Sequence, residues 1–240
     1  MHPNYPEWVK TKCMRVSSYW VPLLLAVLIG AFCSVGGVDD VSIWVLEFAN
    51  GVQWSDIHKP APLPPPMQDF VFRPLSIVLM KLTWVISGGA LDVPPWLVGA
   101  KAAVFLMVFG LGSWLWLRQW TTEFWATVLT VLVMISEPSL FSAFNYSEFD
   151  GFGAGLILLS SWLLLNHPSR WIWFALLSFT VVFLKESSCF IWLCFLGPQL
   201  FLQWRDPKYS RDDLQKVFKV IGAVLVLWMI GTSGVLLGKV

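Results

Sequence analysis

Charge is what this chain has least of. Only 13% of its 240 residues are Asp, Glu, Lys or Arg, against roughly 25% in soluble domains. The net charge is +1, which excludes the basic surface that a nucleic-acid partner needs. Histidine is scarce too: His2, His58 and His167 are scattered along the chain and suggest no metal cluster. The four cysteines, Cys13, Cys33, Cys189 and Cys194, have the spacing of neither a zinc site nor a disulfide framework. Cys189 and Cys194 fall in an apolar run, where cysteine packs as a small hydrophobe. The first apolar run is followed by no A-x-A site, and Phe32 before Cys33 spoils a lipoprotein cleavage site, so that run reads as an uncleaved anchor. No inverted repeat or broken-helix pattern of a transporter is visible either.

What is there is apolar. The chain is 57% hydrophobic, with a mean hydropathy of +0.67, the composition of a polytopic membrane protein. It carries 16 tryptophans. Trp8, Trp20, Trp44, Trp54, Trp96, Trp120, Trp173 and Trp204 fall near the ends of apolar segments, the places where Trp anchors to headgroups. A sugar-stacking role for Trp44 or Trp54 is the minor alternative.

Residues 1–17 form a tail with Lys10, Lys12 and Arg15, expected on the cytoplasmic side. Residues 18–240 read as one transmembrane module, with a first outer loop at 36–96. The first apolar run is about 19–35. Residues 41–52 (VSIWVLEFANGV) have helical spacing but are too short to span, since a span needs about 20 residues; they read as an amphipathic helix at the interface. Pro60, Pro62, Pro64, Pro65 and Pro66 then make a stiff extended connector. Residues 71–88 are interrupted by Arg73 and Lys81, with Leu82, Val85 and Ile86 facing one way and Lys81 another, and read as a second interfacial or half-buried helix. Six further spans are expected near 97–117, 121–143, 151–166, 171–185, 188–204 and 217–237.

The positive-inside rule supports that count. With about seven spans, Lys10, Lys12, Arg15, Arg118, Arg170, Arg205, Lys208, Arg211 and Lys216 all lie inside, while Asp39, Asp40, Asp56, Asp69, Glu148 and Asp150 lie outside. The expected fold is therefore an all-α polytopic membrane protein, with about seven transmembrane helices and one or two interfacial helices in the first outer loop. Its N-terminus is cytoplasmic and its C-terminus lies on the outer, periplasmic or lumenal side.

The same arrangement gathers four polar motifs on the outer face. They are Asp39-Asp40 after the first span; Arg73-Pro74-Leu75; the loop 145–150 with Glu148 and Asp150; and Lys185-Glu186 at a span end. Charge beside hydrocarbon costs a few kcal/mol per group and marks function by default. A carboxylate in a partly dry site can serve as a general base. Lysine and arginine at the membrane edge suit a phosphate headgroup. Together they suit sugar transfer from a lipid-linked phosphosugar to an acceptor hydroxyl. Each motif also has a plain structural reading. Asp39-Asp40 would sit at a solvated helix N-terminus, Lys185-Glu186 would be an ion pair within the bundle, Arg73 would snorkel, and Glu148 and Asp150 would cap the next helix.

The order of these motifs resembles the GT-C type of integral-membrane glycosyltransferases, which use polyprenyl-phosphate sugars. The likeness is greatest to the N-terminal module of protein O-mannosyltransferases that carry tetratricopeptide repeats, and to their bacterial relatives. It rests on GVDDVSIWVLEFANG (37–51), FRPLSIVLMKL (72–82) and FLKESS (183–188). The resemblance implies that Asp39 or Asp40 is the catalytic base. It implies substrate-binding or site-ordering roles for Arg73, Lys185 and Glu186, with Asp150 matching the family's acidic position and Glu148 beside it. It requires no cofactor beyond the lipid-phosphate sugar donor as substrate, and leaves a divalent cation open. The expected partners are membrane lipids, a polyprenyl-phosphate lipid and other membrane subunits. Where the relatives carry a histidine motif, this chain has SEPSLFSAFNYSEFDG (136–151), without His or Arg. That departure keeps a second expectation alive: a non-catalytic scaffold subunit derived from the same core.

Overall fold

The computed structural model describes residues 18–34, 50–56, 61–62, 70–71, 73–88, 93–144, 149–185, 188–206 and 209–237. Among these the chain is helical. Nine α-helices run in order: α1 (Trp20–Cys33), α2 (Pro74–Ile86), α3 (Pro95–Leu117), α4 (Glu123–Met134), α5 (Glu137–Phe144), α6 (Asp150–Asn166), α7 (Trp171–Leu184), α8 (Ser188–Arg205) and α9 (Arg211–Leu237). A two-residue strand pair, β1 (Ala61–Pro62) and β2 (Phe70–Val71), sets Ala61 opposite Val71 and Pro62 opposite Phe70. It keeps the proline-rich connector extended at that point. Of the expected amphipathic helix at 41–52, only the end is described, helical at Asn50 and Gly51.

Local sequence explains the boundaries. α2 and α3 each begin with proline in the first turn, where a missing N–H costs nothing. Gly88 follows α2 at φ +70°, the left-handed conformation that ends helices. Thr122 caps α4 by accepting from the Trp125 N–H at 3.5 Å, with Glu123 in the first turn, where a carboxylate meets the positive end of the dipole. The expected span 121–143 is broken: α4 and α5 meet at 61°. Pro138 lies just past the break and has no N–H with which to continue α4.

Helix lengths correct the expected seven spans. α3 and the stretch Arg211–Ser233 of α9, 23 residues each, are long and apolar enough to cross a membrane, and the bent α4–α5 pair adds a third if it crosses as one broken span. α1, α6 and α7 are apolar but have 14, 17 and 14 residues. At 1.5 Å per residue they reach about 21–26 Å, short of a hydrocarbon core about 30 Å thick. α8 has 18 residues, but Pro198, Gln199, Gln203 and Arg205 interrupt its apolar run. Hydropathy read long apolar runs and merged helix with turn. The turn at 167–170 uses up residues that a span needs.

The surface supports a lipid environment. In α2, Leu82, Val85 and Ile86 are 45%, 66% and 56% exposed while Lys81 is 6% exposed. That is the reverse of a soluble helix, and it bears out the expected facing of those residues. Trp20, Trp54, Trp96, Trp120, Trp173 and Trp204 are exposed, all at or near helix ends. These observations place the chain in a membrane as an α-helical protein.

Small residues bring the helices together. α1 runs antiparallel to α3 and touches it backbone to backbone. A Cβ on Gly30 would lie 2.7 Å from the Gly99 carbonyl oxygen, and one on Gly99 would lie 2.5 Å from that of Gly30. α3 meets α6 in the same way, with Gly112 and Gly155 at the crossing. In lipid, where burial of apolar surface gives no drive between helices, such close approach supplies the packing. Three apolar cores result. One lies among α1, α3, α4 and α5, around Ala26, Ala102 and Met134. A second lies among α6 to α9, around Val181, Val182, Trp192 and Val217. The third joins α2 to the starts of α3 and α6 and the end of α7, through Ile77, Met80, Val98, Phe105, Phe149 and Leu184.

Candidate functional site

The third core lies under one end of the bundle. α6 begins there with Asp150, and α7 ends there at Leu184, followed by Lys185. The Lys185 Nζ lies 2.7 Å from both carboxylate oxygens of Asp150. Ser76, in the first turn of α2, donates its hydroxyl to the Leu184 carbonyl. This brings Arg73, the residue just before α2, to the same end. Three of the expected site residues, Arg73, Asp150 and Lys185, therefore share one neighbourhood. Glu148, Glu186, Asp39 and Asp40 lie outside the described residues. The end of α1 leads toward this side: Ser34 lies against Gly99, near the start of α3.

The pairing of Lys185 with Asp150 merges two of the expected motifs. Asp150 also sits in the first turn of α6, so it meets both the helix dipole and an ammonium. Both side chains keep contact with solvent, 24% exposed for Lys185 and 53% for Asp150.

Two residues that the sequence reading passed over belong to this end. Lys101, in the second turn of α3, donates to the Ser142 carbonyl at 3.0 Å. Its ammonium stands 4.6 Å from the centre of the Phe105 ring and 6.0 Å from that of Phe149, within cation–π range. Ser142, near the end of α5, accepts at its hydroxyl from the Gly151 N–H at 3.0 Å. Beside it is a cavity of about 10 Å³ lined by Phe105, Phe109, Ser139, Ser142 and Gly151 among others, room for about one water. The signal for Lys101 was in the sequence: a lone basic residue inside an otherwise apolar run.

A second lysine ties residues 50–54 to α2. Lys81 donates to the Asn50 carbonyl at 3.0 Å and lies 5.2 Å from the Trp54 ring centre. Burial pushes its ammonium below the usual lysine range. The folded chain then binds fewer protons than the unfolded one between the lowered value and the ordinary 10.5. Stability should therefore rise as pH climbs through that window. Unfolding of the detergent-solubilised chain followed against pH checks this: Lys81→Met should lack that part of the rise.

The opposite end carries the basic turns. Arg118 pairs with Glu123 at 3.3 Å, and Glu123 also accepts from the N–H and hydroxyl of Ser18. Arg170 precedes α7, and Arg205 and Arg211 flank the α8–α9 turn. Cys33 and Cys189 are buried, as small hydrophobes would be, but Cys194 is exposed, a correction to its expected packing. Among the described residues no group of three or more His, Cys, Asp or Glu could hold a metal ion.

The fold and this polar end define an α-helical membrane protein with a charged cluster at one end of its bundle. No family model matches the chain, and no curated protein or solved structure matches it.

Proposed function

We propose that the chain is a membrane glycosyltransferase of the GT-C kind, moving a sugar from a polyprenyl-phosphate donor to an acceptor at the outer face. The observation that carries this reading is the pairing of Asp150 with Lys185 at the end of the bundle where Ser76, one turn after Arg73, holds the Leu184 carbonyl, the end at which α1 also finishes. In this reading Asp39 or Asp40 removes the proton of the acceptor hydroxyl. The acceptor oxygen bonds to the anomeric carbon as the bond from that carbon to the phosphate oxygen breaks. The phosphate leaves with the bonding electrons, its charge met by Arg73 and Lys185. Glu148 and Glu186 flank these groups in the sequence and help order the site. The arginine-bearing end and the N-terminal tail face the cytoplasm, and α9 runs from that end toward the outer side.

One observation favours a second reading, a scaffold subunit in a larger membrane complex. Lys185 already holds Asp150 with two short contacts, as a structural ion pair would. Gentle detergent extraction, native-size analysis and mass spectrometry of bound lipid separate the two. A monomer or small oligomer carrying a polyprenyl phosphate supports the enzyme. A large complex of fixed stoichiometry without such lipid supports the scaffold and sinks the first reading.

A further inference from the structure

Hydrogen bonds cross this end of the bundle from helix to helix. Lys101 of α3 holds the carbonyl of Ser142 in α5. The hydroxyl of the same serine receives the N–H of Gly151 in α6. Gly151 directly follows Asp150, whose carboxylate holds Lys185 at the end of α7. Ser142 is thus gripped at both its carbonyl and its hydroxyl, and the peptide that carries Asp150 is fixed against it. Gly151 leaves little room to shift, since a Cβ there would lie 3.1 Å from the Ser142 hydroxyl oxygen.

Chemistry explains why a lysine stands at position 101. The last carbonyls of a helix carry partial negative charge and lack intrahelical donors. Ser142 is two residues from the end of the eight-residue α5. An ammonium there satisfies a carbonyl that lipid could not. The Phe105 and Phe149 rings on its flanks keep the ammonium in place while shielding it from the apolar surroundings.

We propose that Lys101 and Ser142 are positioning residues: they set the first turn of α6 so that the Asp150 carboxylate meets Lys185. This rests on reading the Asp150–Lys185 pair as part of the functional site, but its test needs no sugar transfer. An amine held by a carboxylate acylates slowly. Pulse labelling of the whole chain in detergent with an amine-reactive ester at pH 8, read by mass spectrometry after digestion, reports on Lys185. Lys81, buried in the fold, serves as the internal reference, since global unfolding would expose it to the reagent.

Asp150→Asn should raise labelling of Lys185 about two- to fivefold, the span of an exposed ion pair. Lys101→Met and Ser142→Ala should each give most of that rise, with Lys81 still protected, and Lys101→Arg should label as the unaltered chain does. If Lys101→Met unfolds the chain, Ser142→Ala carries the test alone, since it removes only a hydroxyl. Unchanged Lys185 labelling in Ser142→Ala and Lys101→Met, with the rise present in Asp150→Asn, overturns the positioning role and leaves the pair standing. No rise in Asp150→Asn means the pair does not hold the amine, and the inference falls together with that part of the site.

Discussion

Gly155→Leu should destabilise the protein in detergent by about 3 kcal/mol, with a lower unfolding temperature and a lower folded yield. A Cβ at this position would lie 2.7 Å from the backbone N and Cα of Phe109, closer than side chains come to a neighbouring main chain. The obstruction is helix backbone, which cannot rotate aside as a side-chain tip would. α3 and α6 would have to separate, and that crossing joins the core of α1, α3, α4 and α5 to the core of α6 to α9. Overpacking a well-filled core costs about 1–3 kcal/mol, occasionally more. A backbone clash at the main seam belongs at the upper end, out of a total stability of about 5–15 kcal/mol. Size-exclusion profiles and thermal unfolding in detergent check it. Gly222→Leu is the control, because nothing lies within 4 Å of a Cβ built there. It should behave as the unaltered chain does. Equal behaviour of the two variants would mean that α3 and α6 do not cross at Gly155.

The double variant Asp39→Asn, Asp40→Asn should lower sugar transfer about 10²- to 10⁴-fold, the usual contribution of a general base. Asparagine keeps the size and most hydrogen bonding of aspartate but cannot take the acceptor's proton. Extraction yield and oligomeric size should stay unchanged, which separates a chemical loss from a folding one. The two single variants divide the roles: the base should account for nearly all the loss, and its neighbour for less. If both single variants and the double variant retain full transfer, the base lies elsewhere. If no preparation transfers sugar and the double variant assembles normally, the scaffold reading gains.

Sequence reading went furthest where a single rule governed. A continuous apolar run marked α3, expected at 97–117 and found at Pro95–Leu117. The facing of Lys81 against Leu82, Val85 and Ile86 followed from helical spacing alone. It read less well where two effects competed. Hydropathy averages over a window, so the break before Pro138 vanished inside an apolar stretch, and helices of 14 residues looked as long as spans. The candidate site was legible in part. Asp150 and Lys185 do meet, but the partner of Lys185 is set by the antiparallel course of α6 and α7 and could not be read from Lys185-Glu186. Lys101 and Ser142 were missed for the same reason. Their contact joins α3 to α5 across a sequence distance that no local pattern spans.

The meeting of Gly30 with Gly99 has a consequence for biosynthesis. The surface that α1 fits most closely is made only when α3 has emerged. At about 5–20 residues per second the ribosome needs on the order of ten seconds to get from one glycine to the other. During that interval α1, a 14-residue apolar helix, has no partner of its own chain to lie against. α1 therefore reaches its final packing only after α3 has been made, and the order of synthesis sets the order in which that seam can close.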